Sequence, residues 1–320
     1  MTEPVLLDVT RGGRVESRHL GSFVLLDAGG EVAVAAGDPE ATVFGRSALK
    51  PLQASAMLRA GLRTDSAGVA LAAASHDGEA VHLAGARAVL AAAGGDESML
   101  ACPPDLPWGR DALVDYVAGG GTAAPICHNC SGKHAGMVAT CLHAGWEVGS
   151  YLSVEHPLQV AIVAELEQRC VAPVSSTSVD GCGAPAHALP LAALARGFGA
   201  LSTAPDPFAE LVRTSMRAHP RLVGGIGRAV TELTAEVDGL VCKDGAEGVW
   251  AAALPDGRAF AAKVSDGSLR ALPPVLAGAL AFWGFTGPAV RRWSAVDVLG
   301  GGAVVGAVTW SVQFRDLLGL

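Results

Sequence analysis

Apolar positions change rhythm along this chain, and the changes mark its elements. Near the start they form a block, Phe23-Val24-Leu25-Leu26, followed by Ala28-Gly29-Gly30 and then by alternating Val32 and Val34. A block, a glycine turn and a period of two predict a hairpin over Ser22–Ala35. Thr42-Val43-Phe44-Gly45 reads as a short strand or a turn. A helix is expected to start near Ser47, with Pro51 tolerated in its first turn and Gly61 just past its end. An alanine-rich run over Gly68–Ala74 ends at Ser75-His76-Asp77-Gly78, and a long Ala/Leu/Val helix follows to about Ala93. Cys102–Pro107 is a proline-rich loop.

The middle of the chain is mostly helical in pattern. Helices are predicted over Arg110–Val117, Gly132–Ala144, His156–Val171, Ala186–Gly197 and Asp206–His219, each bounded by Gly, Pro or Asp. Strands return in the last third. Val249–Ala253 and Arg258–Val264 flank Pro255-Asp256-Gly257, a turn with fixed-φ and positive-φ residues in place. A helix around Pro274–Trp283 precedes strands around Ser294–Val298 and Ala303–Ser311. Strands at both ends and helices between them predict a mixed α/β (α+β) fold. Its antiparallel sheet would be made from both chain ends, flanked by helices, with a helical subregion inserted. No stretch rich in Ser, Pro or charge marks a linker, so residues 1–320 are expected to form a single domain.

Composition narrows the class. Half of the 320 residues are hydrophobic and the mean hydropathy is +0.37, ample for a core. No apolar run has the length of a membrane span, and Met1-Thr2-Glu3-Pro4 opens without a basic and apolar leader, so a cytoplasmic protein with no membrane partner is expected. A net charge of −8 with no Lys/Arg run argues against nucleic acid as a partner. Seven scattered cysteines are expected to be buried thiols, metal ligands or redox groups before disulfides. Lysine usage is the sharpest signal. Only Lys50, Lys133, Lys243 and Lys263 occur, and the other basic side chains are arginines. Arginine keeps its proton, whereas a buried lysine can release it. Lysines that survive a bias toward arginine are therefore candidates for chemistry, although four solvated lysines would read the same way.

Five clusters carry that chemistry. Arg46-Ser47-Ala48-Leu49-Lys50 places a serine and a lysine one helical turn apart. A neutral lysine could take the proton of a serine nucleophile, and helix amides could hold an oxyanion. The same residues also fit an N-cap serine and a solvated lysine. Ala74-Ser75-His76-Asp77-Gly78-Glu79 joins a hydroxyl, an imidazole and two carboxylates, and equally resembles a capped helix start. Cys127-His128-Asn129-Cys130-Ser131-Gly132-Lys133-His134 holds the chain's only asparagine. Its Cys-x-x-Cys can bind zinc, act as a redox pair or be two buried thiols. Asp180-Gly181-Cys182-Gly183-Ala184-Pro185 could add a distant ligand or be a tight turn. Ala262-Lys263-Val264-Ser265-Asp266-Gly267 puts a lysine at a strand end, as Ser-x-x-Lys enzymes do opposite their nucleophile and as edge strands do against aggregation.

Taken together, these stretches resemble the rhizobial-type L-asparaginase II family. Arg11 to Gly21, Phe44 to Pro51, Ala74 to Glu79, Cys130 to Met137, Asp180 to Pro185, Lys243 to Gly248 and Ala262 to Gly267 all follow the family's order. The resemblance implies the fold of serine β-lactamases, penicillin-binding proteins and bacterial glutaminases. It implies hydrolysis of L-asparagine to L-aspartate and ammonia. Ser47 with Lys50 would be nucleophile and base, and Ser75 with Lys263 a second Ser–Lys pair. Cys130, Lys133 and Cys182 would hold zinc. Asp180 and Cys242 would line the substrate pocket together with Arg46 and His76. A homodimer is implied as well. Two other readings share these residues: a glutaminase or β-lactam-acylated hydrolase on the same scaffold, and a non-catalytic zinc and thiol sensor built from Cys127, Cys130, Cys182 and Cys242.

Overall fold

A computed structural model describes residues 3–320. They gather into two compact units, both discontinuous in sequence. The first takes residues up to Ala48, Leu189–Thr203 and Glu232–Leu320. The second takes Leu49–Ala188 and Ala204–Thr231. Because the chain passes between them repeatedly, no single stretch of composition could mark a linker.

The first unit is built on an eight-stranded antiparallel sheet. Its order is Ala295–Gly300, Ala303–Trp310, Val5–Arg11, Arg14–Leu26, Ala259–Val264, Val249–Ala253 and Val241–Gly245, with Val32–Ala36 also pairing on the Arg14–Leu26 strand. That long strand works in two halves. Its first half is exposed and pairs with Val5–Arg11, while its buried second half pairs Gly21 with Val264 and Leu26 with Ala259. Val249–Ala253 is buried at every position, so both of its faces are covered. Strands covered on both faces lose the apolar–polar alternation and read as plain apolar runs. The helix Leu191–Thr203 packs on these central strands, and Leu272–Phe282 packs on the strand Ala303–Trp310. Phe314, from the helix Val312–Leu318, meets Phe23 edge to face at 5.3 Å.

The second unit is helical. Its axis is the helix Ser131–Ala144, buried from Ser131 through Cys141 and packed by Ser66–Ala72 and Ala80–Ala92. Gly132 makes that contact close, since a Cβ there would lie 2.6 Å from the Leu71 carbonyl oxygen. Lys50–Arg59, Pro157–Cys170 and Pro207–Ala218 are tied by an ionic cluster. In it Glu165, only 3% exposed, accepts from Ser55, Arg59 and Arg169, while Asp206 accepts from both arginines. A charge buried this far is tolerable because both carboxylate oxygens of Glu165 have donors, two of them from arginines.

The expected α+β class with an antiparallel sheet from both chain ends is the observed one. Three expectations change in detail. The helix predicted over Ala186–Gly197 begins only at Leu191, because Pro185–Pro190 is a strand paired with Ser176–Val179. Pro190 cannot sit inside a helix, and it marks the change of element. The helix expected near Ser47 starts as a 3-10 turn over Arg46–Leu49 and becomes α-helical at Lys50. Val5–Arg11 and Val241–Gly245 are strands that short, mixed patterns did not reveal. No helix of the described residues is long and apolar enough to cross a membrane.

Candidate active site

In the first unit, the turn that carries Ser47 is strained. Arg46 has φ 48°, a left-handed conformation that costs a side-chain-bearing residue about 1–2 kcal/mol. Such strain next to a half-buried serine at a helix entrance is how a fold aims a hydroxyl outward. Gly245 supports the turn from below. A Cβ there would lie 3.0 Å from the Ala48 nitrogen and 3.3 Å from the Ser47 nitrogen, so any side chain on the Val241–Gly245 strand at this point would press on the turn. The same strand holds Cys242 and Lys243, both fully buried. Thr234 bonds the Cys242 sulfur at 3.3 Å, and burial pushes that thiol up to about 12. Lys243 donates to the backbone and carboxylate oxygens of Asp244. Lys263 donates to the carbonyls of Glu247 and Val264 at 2.7 and 2.6 Å, and burial lowers its pKa against the pull of Glu247.

In the second unit, Lys50 is 2% exposed and reaches three groups: Ser75 Oγ at 2.9 Å, Cys130 Sγ at 3.1 Å and the Ala74 carbonyl. Ser75 cannot drift, because the strip around it is pinned by backbone bonds. Ser75 donates to Val223, His76 to Asn129 and Asp77 to Gly224, at 2.8–3.1 Å. His76 is fully buried. Its Nδ1 accepts from the Gly78 amide at 3.2 Å, so Nε2 carries the proton and donates to Ser131 Oγ at 3.0 Å. The ring stacks on His82 at 4.8 Å, and burial drives both imidazoles below their ordinary pKa. Burial raises Asp77 despite its 2.6 Å pair with Arg228.

Cys130, Lys133 and Cys182 come together although the third lies 49 residues beyond the second. Cys130 stands just before the buried helix, and Lys133 follows in its first turn. Cys182 rides a tight turn closed by Asp180, whose carbonyl accepts from Gly183 at 2.8 Å and whose carboxylate accepts from Gly181 at 2.7 Å. Lys133 Nζ is 3.2 Å from Cys182 Sγ. The Cys130 thiol donates to Asn129 Oδ1 at 3.2 Å. The neighbouring Cys130 and Lys133 hold the Cys182 thiol far below the usual thiol range against the cost of burial. Cys182 and burial hold Cys130 far above it. Burial opposes charge on Lys133, but Cys182 and Cys130 outweigh it and the amine is raised.

This donor set suits a thiophilic ion. Zinc takes thiolate sulfur and nitrogen donors, which Cys130, Cys182 and Lys133 would supply. Among the described residues no three His, Cys, Asp or Glu side chains converge in metal-binding range, so a metal here would need the lysine as its third donor. A cleft of about 690 Å³ lies beside Asp77, lined by Glu79, Arg110, Tyr116 and Arg221 among others. Its lining does not include Lys50, Ser75 or the two cysteines. Ser131 and His134 lie in the Cys127–His134 stretch without having been singled out, and Tyr151 lies outside every motif. The only cue to His134 was its position beside Lys133.

No curated relative matches. Among solved structures the chain is similar to Mglu at 18% identity, covering 80% of this chain and 64% of that one with a TM-score of 0.36. It thus spans less than two thirds of that protein's length. It is also similar to a β-lactamase from Mycobacterium bovis at 15% identity, covering 83% and 95% of the two chains with a TM-score of 0.43. The model of the family described as L-asparaginase II matches residues 7–310. With a match over nearly its whole length, the chain belongs to the L-asparaginase II family and is an amidohydrolase.

Proposed function

We propose that this amidohydrolase acts on L-asparagine, releasing ammonia and L-aspartate through an acyl-enzyme on Ser47. The observation that carries the reading is the strained turn at Arg46, which delivers Ser47 straight into a helix whose first residue is the buried Lys50. Ser47 Oγ attacks the side-chain amide carbon, and Lys50 Nζ takes its proton. The tetrahedral oxyanion collapses, the C–N bond breaks and ammonia leaves with that proton, giving an aspartyl ester. Water attacks the ester through the same base and restores the serine. Ser75, 2.9 Å from Lys50 Nζ, is the proposed relay for protons entering and leaving the lysine. Lys263 and Arg46 add positive potential, and Asp180, His76 and Cys242 are the remaining residues proposed on the substrate side.

Zinc is the proposed resident metal, held by Cys130, Lys133 and Cys182. When bound it would tie the helix start at Cys130 to the turn at Cys182 and add positive charge there. Lys50, bonded to Cys130 at 3.1 Å, couples the base to that cluster.

The test is ammonia release from L-asparagine by the purified protein, beside Ser47→Ala and with L-glutamine in parallel. Release from asparagine that disappears in the variant is expected. Undiminished release in Ser47→Ala would remove the nucleophile. Silence toward both amides in folded, zinc-loaded protein would overturn the reading.

A further inference from the structure

No residue of the stretch Arg11–Gly21 takes part in the mechanism above. The end of that stretch lies against the strand end that carries Lys263. Gly21 pairs with Val264 and Ser22 with Lys263. A Cβ on Gly21 would lie 2.2 Å from the Lys263 carbonyl oxygen, so a side chain there would push the two strands apart. The Ser265 amide donates to the Leu20 carbonyl at 2.8 Å. Beside them stands His19, 3% exposed. Its Nε2 accepts from Arg270 Nε at 3.2 Å. A guanidinium only donates, so the ring carries its hydrogen on Nδ1, which donates to Asp266 Oδ2 at 2.7 Å. The other Asp266 oxygen accepts the Ser268 amide at 2.9 Å. The carboxylate thus holds the turn after the strand with one oxygen and His19 with the other.

That turn governs both acceptors of the Lys263 amine. Nζ donates to the Val264 carbonyl at 2.6 Å and to the Glu247 carbonyl at 2.7 Å. Val264 opens the turn, and the Gly267 amide closes it on the same Val264 carbonyl at 3.1 Å. Glu247 lies against the turn: a Cβ on Gly267 would be 2.6 Å from Glu247 Oε2 and 3.3 Å from Glu247 Cα. Glu247 itself has φ 61°, a left-handed conformation that a residue with a side chain keeps only where its surroundings impose it. An ammonium has three hydrogens. Two are spent on these carbonyls, and their positions set the direction of the third.

We infer that His19 is a positioning residue for Lys263: by bonding Asp266 it fixes the turn from Val264 to Ser268, and through that turn the two carbonyls that aim the amine. The inference rests on the proposed part of Lys263 in the reaction.

The test uses the full chain and reads the amine directly. The protein has only four lysines, so an isotope label at lysine Cε gives four magnetic-resonance signals, and that of Lys263 is the one lost in Lys263→Arg. His19→Leu should displace this signal and lower kcat by about tenfold or more with KM near wild type. His19→Asn keeps an N–H donor for Asp266 and should leave signal and kcat near wild type. Asp266→Ala removes the same bond from a half-exposed position, and should displace the signal as His19→Leu does even if the latter folds poorly. A Lys263 signal left in place by Asp266→Ala and by folded His19→Leu would overturn the inference, and so would a loss of kcat in His19→Asn as large as in His19→Leu. A displaced signal with undiminished ammonia release would uphold the positioning and remove Lys263 from the chemistry instead.

Discussion

A lysine at 2% exposure has to be held by something, and at Lys50 the holders are a hydroxyl, a thiol and a carbonyl. Substituting methionine keeps the aliphatic volume and removes the proton acceptor. Lys50→Met should therefore lower turnover by about a thousandfold or more with the far-ultraviolet circular dichroism unchanged; near-normal ammonia release would remove Lys50 from the mechanism. The scarcity of lysine pointed at this residue before any geometry was known, and at Lys133 with it. Nothing comparable pointed at His19. Its importance comes from which ring nitrogen is already occupied, a property of three-dimensional neighbours that no spacing encodes.

At the scale of elements, the contact between Gly245 and the Ser47 turn makes the last residue of one strand a constraint on another segment's hydroxyl. Gly245→Ala needs the Ala48 nitrogen, 3.0 Å from the new carbon, to give way by a few tenths of an ångström. Small misplacements of a nucleophile are expensive, so kcat should fall by about tenfold or more while KM and the unfolding midpoint change little. Steady-state kinetics separates this from a folding defect, in which both would worsen together. Elements with clean punctuation were legible: Ala80–Ala92, Ser131–Ala144, Pro207–Ala218 and Val249–Ala253 lie within a few residues of their predicted bounds. The strand Pro185–Pro190 was not, since Ala, His and Leu between two prolines suit a helix until a partner strand supplies hydrogen bonds.

Two expectations belong to the whole molecule. Burial lowers His187 to about 4 from an ordinary 6.5. Unfolded, that imidazole takes a proton near pH 6.5, and in place only near pH 4, so acid favours the unfolded chain across this window. Stability should fall as pH drops from 6.5 to about 4, and His187→Leu should reduce the slope of unfolding free energy there by about 1.4 kcal/mol per pH unit, read by urea titration. A slope unchanged by the substitution would show that the proton uptake lies elsewhere. Removing metal with a chelator should lower the melting temperature. Zinc at a hundredfold over its Kd adds about 2.7 kcal/mol to a protein that binds it only when folded. Zinc should restore the wild type but not Cys182→Ser, and equal recovery of both would exclude Cys182 as a ligand.

The sheet's order also dictates a timetable. Val5–Arg11 pairs with Ala303–Trp310, so a strand made among the first must wait for one made among the last. A ribosome emitting the chain at about 5–20 residues per second leaves Val5–Arg11 with an open edge for roughly 15–60 seconds. The helical unit draws on nothing beyond Thr231 and can close earlier. The open edge is therefore the nascent chain's most exposed point for pairing with another copy of itself. Where this protein is lost to aggregation, the loss should track elongation speed and the integrity of the strand Ala303–Trp310 more than the stability of the finished fold.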